Sequence, residues 1–265
     1  MSRHSLSAVA AAALLLAASP LAHAATVGKT VDGKALSVDV NCVDRVEIQP
    51  QADLTGKIAI EATSSDASDL TDFVFTGGET ASVIRPHHDF CLKITDVTRK
   101  ILVTIHVPAG TPIDIKNAGS TDFTIGAVGG ALHALLAGSG NISDETVTAL
   151  DLSIAGSSDV RVGQLSGAAS IQIAGSGDVK IGSATIPSLK IDVRGSGDVS
   201  VDQGQIDTLS AAVAGSGDLR IHTTVKDAAL STTGSGDIEV TKVTGNLSSS
   251  KAGSGSIRIG RAGPG

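Results

Sequence analysis

The sequence predicts an all-β fold, a right-handed parallel β-helix with rungs of about 19 residues and an irregular, strand-rich N-terminal part. Three observations predict it. A peptide of the form Ala-Gly-Ser-Gly-Asp-Val returns eight times at near-constant spacing. Apolar residues alternate with polar ones on both sides of it. The composition is rich in glycine, with 31 residues, and has four phenylalanines but no tryptophan or tyrosine.

The repeat is the first element to justify, because self-similarity at a fixed period decides the architecture. NAGSTDFTI (117–125), LAGSGNIS (136–143), IAGSSDVRV (154–162), IAGSGDVKI (173–181), VRGSGDVSV (193–201), VAGSGDLRI (213–221), TTGSGDIEV (232–240) and KAGSGSIRI (251–259) align without gaps. Their leading glycines, Gly119, Gly138, Gly156, Gly175, Gly195, Gly215, Gly234 and Gly253, are 19, 18, 19, 20, 20, 19 and 19 residues apart. Before the glycine, Leu189, Ile191 and Val193 alternate with polar residues. After it, Val179 and Ile181, or Leu219 and Ile221, do the same. Alternation of period two marks a strand with one buried face. Helical spacing and the Leu/Asn signature of leucine-rich repeats are both missing. Each repeat therefore reads as strand, corner, strand and second bend. Stacking such rungs ~4.8 Å apart buries the inward columns in one narrow core, and parallel crossovers are overwhelmingly right-handed.

The corner forms a structural turn ladder, whose regular part is Gly156 and Asp159, Gly175 and Asp178, Gly195 and Asp198, Gly215 and Asp218, Gly234 and Asp237. An invariant glycine fits a positive φ or a close backbone approach. Three places on from it the series runs Asp122, Asn141, Asp159, Asp178, Asp198, Asp218, Asp237, Ser256. Stacked carboxylates ~5 Å apart repel by roughly 0.9 kcal/mol per pair even in water, so a cation ladder is one reading. An Asx turn, with a short acceptor capping nearby N–H groups, is the other. Asn141 and Ser256 keep the acceptor and drop the charge, which favours capping. Arg161, Lys180, Arg220 and Arg258 follow two places later and can offset the column.

Residues 25–115 lack the clean repeat but alternate in ALSVDV (35–40), RVEIQP (45–50), KIAIEAT (57–63), DFVFTGG (72–78) and ILVTIHVPAGTPIDI (101–115). They are expected to form the first irregular rungs and cover the coil's end, with the regular rungs spanning 116–262. Residues 1–24 read as a secretory signal peptide, with an apolar stretch from Leu6 to Ala18 and a small-x-small site at Ala22-His23-Ala24. Export to an oxidising compartment, periplasmic or extracellular, makes a Cys42–Cys91 disulfide the default. His87-His88-Asp89 carries metal-ligand chemistry, but adjacent histidines on a strand point apart, so a solvated loop is expected.

Charge narrows the partners. The chain carries 20 basic and 27 acidic residues, a net −7. Such a balance argues against nucleic acid. No apolar run in the mature chain is long enough for a transmembrane helix, and scarce aromatics disfavour sites built on stacking, including common sugar-binding platforms.

The segment ILVTIHVPAG followed by NAGSTDFTI and serial AGSGDV turns resembles the head GIN domain family, also described as putative auto-transporter adhesins. The resemblance covers roughly residues 35–260 and implies an exported bacterial β-helix with no catalytic residues to carry over. Nothing after Gly260 resembles a membrane β-barrel. The expected function is a noncatalytic envelope protein whose β-helix surface serves adhesion, scaffolding or binding. Its partner would be an envelope protein, a surface polysaccharide or a second copy, and no metal or other cofactor is expected. The alternatives are a polysaccharide lyase or hydrolase, which needs a local acid/base group, and a calcium-stabilised secreted module.

Overall fold

A computed structural model describes residues 24–85 and 100–260. The signal-peptide segment up to His23, the His87-His88-Asp89 cluster and Cys91 lie outside the described residues. The N-terminal part contains β1 (Ala25–Asp32), β2 (Ala35–Val40), β3 (Arg45–Pro50), β4 (Lys57–Ser64), β5 (Val74–Thr76), β6 (Thr80–Arg85), β7 (Leu102–Val107), β8 (Ile113–Asn117) and β9 (Asp122–Ile125). The regular part continues with β10 (Ala131–Leu136), β11 (Ile142–Val147), β12 (Ala149–Ile154), β13 (Val160–Leu165), β14 (Ala169–Ile173), β15 (Val179–Gly195), β16 (Val199–Gly215), β17 (Leu219–Gly234), β18 (Ile238–Val243), β19 (Leu247–Gly253) and β20 (Ile257–Ile259). The expected strands at 35–40 and 45–50 coincide with β2 and β3, and 101–115 divides into β7 and β8 around Pro108 and Pro112.

The strands stack in two parallel columns, forming a β-solenoid of about 8 turns. The first column runs β6, β2, β8, β10, β12, β14 and then the second halves of β15, β16 and β17 to β19. The second runs β7, β3, β9, β11, β13 and then the first halves of β15, β16 and β17 to β18 and β20. Register is rung on rung: Val160 pairs with Val179, Val179 with Val199 and Val199 with Leu219. A one-residue slip would turn every inward side chain to water, so the alternation in the sequence pins the stack. The inward residues join one continuous core, in which Val160, Val179, Val199, Leu219 and Ile238 are each at most 1% exposed.

The N-terminal part departs from a simple sequential coil in two ways. The rung made by β2 and β3 is inserted between the rung of β6 and β7 and the rung of β8 and β9, so rung order is not chain order. Beyond it the pairing turns antiparallel: β4 lies on β7, β1 lies on β4, and β5 lies on β6. These strands close the first end of both columns. Arg85 locks the closure. Its buried guanidinium donates to the carbonyls of Asn41 (3.1 Å), Cys42 and Asp69 (3.4 Å) and lies over the Phe73 ring at 5.5 Å. Burial lowers its pKa, against the opposing charges of Asp69, Asp72 and Asp44. Cys42 holds φ at +56°, a left-handed conformation rare for a residue with a Cβ, and Arg85 ties down the carbonyl of that strained corner.

At the other end β19 is exposed throughout, and the inward columns that carry Leu230 and Thr232 one rung earlier carry Ser249 and Lys251 there. A lysine on the inward face of an end strand discourages further strand addition.

Candidate functional site

The corner ladder is the first constellation the sequence singles out, and its geometry is unambiguous. Each leading-glycine carbonyl accepts the N–H of the next rung's serine. Ser176 donates to Gly156 at 3.0 Å, Ser196 to Gly175 at 2.9 Å and Ser216 to Gly195 at 2.9 Å. This brings backbones so close that a Cβ on Gly175, Gly195 or Gly215 would lie under 3.0 Å from the carbonyl oxygen of the rung before. Close approach therefore explains the glycine column from Gly138 to Gly253; at Gly119 a Cβ would meet only side-chain oxygens at 3.6 Å. Positive φ adds to it at Gly195 (+150°), Gly215 (+148°), Gly234 (+120°) and Gly253 (+114°).

The Asx-turn reading needs correcting. The aspartate acceptor does not cap its own turn but reaches the next rung. Asn141 N–H donates to Asp122 Oδ1 (2.9 Å), Asp159 to Asn141 (3.0 Å), Asp178 to Asp159 (3.1 Å), Asp198 to Asp178 (2.8 Å), Asp218 to Asp198 (2.7 Å), Asp237 to Asp218 (2.9 Å) and Ser256 to Asp237 (2.8 Å). One acceptor oxygen suffices, which is why asparagine serves at 141. The second oxygen meets the basic residues. Asp198 Oδ2 accepts from Arg220 at 3.1 Å, Asp218 Oδ2 from the same guanidinium at 2.6 Å, and Asp237 Oδ2 from Arg258 at 3.1 Å. Lys180 differs, pairing with Asp202 at 3.0 Å. Hydrogen bonds from Ser256, through its hydroxyl and its N–H, and then Arg258 hold the Asp237 carboxyl below its ordinary range. Asp198, through its side-chain hydrogen bond, raises Arg220. With both oxygens committed, these aspartates work as a zipper between rungs. Among the described residues no group of three or more His, Cys, Asp or Glu could hold a metal ion.

The second constellation lies on the outer face of the first column. Five outward positions, one per rung, carry Ser37, Asp114, His133, Asp151 and Ser170. His133 Nδ1 is 2.8 Å from Asp114 Oδ2, and its Nε2 is 3.8 Å from Asp151 Oδ2. Parallel register brings these three together, because in-register residues of adjacent strands share a face. The imidazole is 42% exposed and Asp151 62%, while Asp114 Oδ1 is buried without a hydrogen-bond partner. Beside this column runs a trough of about 820 Å³. Its other wall is made of Ala35, Ala131, Ala149 and Ala168, whose side chains end at Cβ. Chemically the arrangement offers a row of exposed acceptors and hydroxyls next to a smooth apolar strip. It does not offer a pair of carboxyls flanking an open space, because His133 stands between Asp114 and Asp151.

A third group is inward. Asp144 pairs with Ile125 and Val162 in the apolar column and is 4% exposed. Burial pushes its carboxyl up to about 7, with the neighbouring Glu145 charge adding to this, although the Thr146 N–H donates to it at 3.0 Å. Reasoning from the repeat missed both groups. Counting five places back from each leading glycine would have aligned Asp114, His133 and Asp151, and six places on from Gly138 falls Asp144.

The described residues thus form a parallel β-solenoid with a hydrogen-bonded corner zipper and a groove along one face. More particularly, the chain belongs to the family described as "Putative auto-transporter adhesin, head GIN domain", which matches residues 84–221 and again 170–262. Three crystal structures are similar in fold. A "putative adhesin" from Parabacteroides merdae has a TM-score of 0.67 at 16% identity, covering 90% of this chain and 96% of that one. A "putative lipid binding protein" from Parabacteroides distasonis has a TM-score of 0.58 at 18% identity, covering 90% and 97%. A "putative adhesin" from Bacteroides fragilis has a TM-score of 0.55 at 18% identity, covering 89% and 97%. No curated protein matches the chain.

Proposed function

We propose that this protein is an exported, noncatalytic component of the cell envelope that binds a surface partner through the outer face of its first strand column. The observation that carries the reading is the contrast between the two faces. On the second column, Arg220 and Arg258 are engaged by the corner aspartates and Lys180 by Asp202. On the first, Ser37, His133, Asp151 and Ser170 line an open trough. Adhesin-family membership supports the role, and the folds of the three related structures agree with it. Export through a signal peptide at 1–24 and a Cys42–Cys91 bridge belong to the same proposal. A hydrolase would need two carboxyls facing one bond, and the imidazole between Asp114 and Asp151 occupies that space.

The test is binding of the purified mature protein to intact cells and to isolated envelope from the source organism, alongside fractionation of the native protein. Saturable binding reduced by Ala149→Arg in the trough, but not by Arg161→Ala on the opposite column, is the expected result. Recovery of the native protein in the cytoplasm, or equal binding by both variants, would overturn the proposal.

A further inference from the structure

The shape of the trough narrows the ligand, taking the first-column face as the binding face. It touches seven consecutive strands of that column, from Thr80 on β6 to Ser188 on β15. Six inter-strand steps of ~4.8 Å make it about 29 Å long. Spread over that length, 820 Å³ leaves a mean cross-section of about 28 Å². Such a trough, open to solvent along its length, suits one extended chain laid along it. It runs along the solenoid axis, so a polymer with a regular repeat meets equivalent positions rung after rung.

Chemistry then separates the linear ligands. An extended peptide is captured by adding to a strand edge, where free N–H and C=O groups await it. Here β8, β10 and β12 are paired on both sides, so their backbone has nothing to offer. A fatty acyl chain would strip water from Asp114, His133 and Asp151 without replacing any hydrogen bond, which costs free energy at each polar group. An acidic polymer would find one cation in the lining, Lys116, against the carboxylates of Asp114 and Asp151 on a chain of net charge −7. A chain bearing hydroxyl groups along its edge suits what is present: exposed acceptors at Asp151, hydroxyls at Ser37 and Ser170, an imidazole at His133, and an alanine strip for C–H faces. Asp151 Oδ2 is 3.8 Å from His133 Nε2, beyond hydrogen-bond length, so it is available to a ligand donor.

We propose that the Ser37–Asp114–His133–Asp151–Ser170 trough binds a single linear glycan, neutral or amino-substituted, laid parallel to the solenoid axis. This rests on the proposed function and names its ligand class. Asp151 accepts from sugar hydroxyl or amino groups. His133, held by Asp114, is a positioned polar contact. The alanine wall lets the sugar ring approach closely. Without aromatic platforms each unit binds weakly, and affinity comes from many rungs acting on one chain.

The experiment is titration of the mature protein with linear oligosaccharides of increasing length. Neutral cello-, manno- and N-acetylated chito-oligosaccharides and deacetylated chito-oligosaccharides are the probes. Oligogalacturonates and a long-chain fatty acid are the competing classes. Affinity should climb with chain length until the oligosaccharide spans the seven strands, then level off. Asp151→Ala should weaken binding about tenfold or more, the loss for one hydrogen bond to a charged group. Ala149→Arg should abolish binding, and Arg161→Ala should leave it unchanged. Circular dichroism confirms that the variants are folded, and an unchanged oligosaccharide profile by mass confirms binding without cleavage. Absence of binding to every neutral and amino series, or preference for the uronates or the fatty acid, overturns the inference. If intact-cell binding still responds to Ala149→Arg in that event, the proposed function survives and only the ligand class falls. Loss of that response as well removes both.

Discussion

A carboxyl in an otherwise aliphatic column should give the solenoid a pH-dependent stability that one substitution can erase. Asp144 is inward-facing, 4% exposed and flanked in register by Ile125 and Val162. Its carboxyl sits at about 7 in the folded chain against an ordinary 3.8. The folded state therefore keeps a proton that the unfolded chain gives up. Below about pH 4 both states are protonated and Asp144 costs nothing. Between the two values stability falls as pH rises, and above about pH 7 the loss is complete. At ~1.4 kcal/mol per pH unit, the full span amounts to about 4 kcal/mol. Asp144→Asn keeps an oxygen to accept the Thr146 N–H and removes the charge. The variant should match the parent near pH 4 and exceed it by about 4 kcal/mol near pH 8, or roughly 8–16 °C in Tm for a chain of this size. Thermal unfolding followed by circular dichroism across that range is the assay. A stability difference that stays constant with pH, or a variant less stable at pH 8, would show that the carboxyl is not held neutral in the core.

Other substitutions test the corner and the strand register. Gly175→Ala places a Cβ against the Gly156 carbonyl and should cost at least about 2 kcal/mol in urea unfolding, whereas Ser176→Ala, at an exposed position, should stay within about 0.5 kcal/mol; equal effects would refute close stacking as the reason for the glycine column. Asp178→Asn should be nearly silent, following the precedent of Asn141, and Asp178→Ala should cost about 1 kcal/mol by orphaning the Asp198 N–H. Val179→Asp, at a side chain 1% exposed, should abolish soluble expression, while Lys180→Asp breaks only a surface pair worth under about 1 kcal/mol. If Cys42 and Cys91 are joined, intact mass without reductant shows no free thiol, and reduction lowers stability by about 3–4 kcal/mol.

The regular rungs were legible because two independent periodicities, two within a strand and about 19 between rungs, agree at the same residues. Val179, Val199 and Leu219 satisfy both. The corner composition was legible too, but the partner of each aspartate was not. A local turn and a contact to the next rung use the same side chain, and only rung spacing decides between them. The inserted rung of β2 and β3 was hidden for a different reason. ALSVDV and RVEIQP alternate like any strand pair, and nothing in alternation says which neighbours they join. Pairing order there is set by the closing strands β1, β4 and β5 and by Arg85 reaching the Asn41 and Cys42 carbonyls. The trough was missed because attention fell on residues that repeat. Asp114, His133 and Asp151 are informative because they interrupt a column that elsewhere carries serine, lysine and alanine.

That contrast bears on where function can reside in such a fold. A solenoid's repeated residues are constrained by the rung: glycine by carbonyl approach, aspartate by the next N–H, aliphatics by the core. Replacing any of them by a residue that cannot play the same part changes stability. Recognition has to be written at positions the rung leaves free, and those are the outward residues of the two columns. On the second column several are drawn into the zipper, since Arg220 bridges Asp198 and Asp218 and Arg258 reaches Asp237. On the first column Asp114, His133 and Asp151 engage one another, and only at the His133–Asp114 contact is the distance that of a hydrogen bond. Residues with unspent hydrogen-bonding capacity beside a continuous trough are where a partner gains most by binding, and substitutions there change affinity while leaving the stack intact.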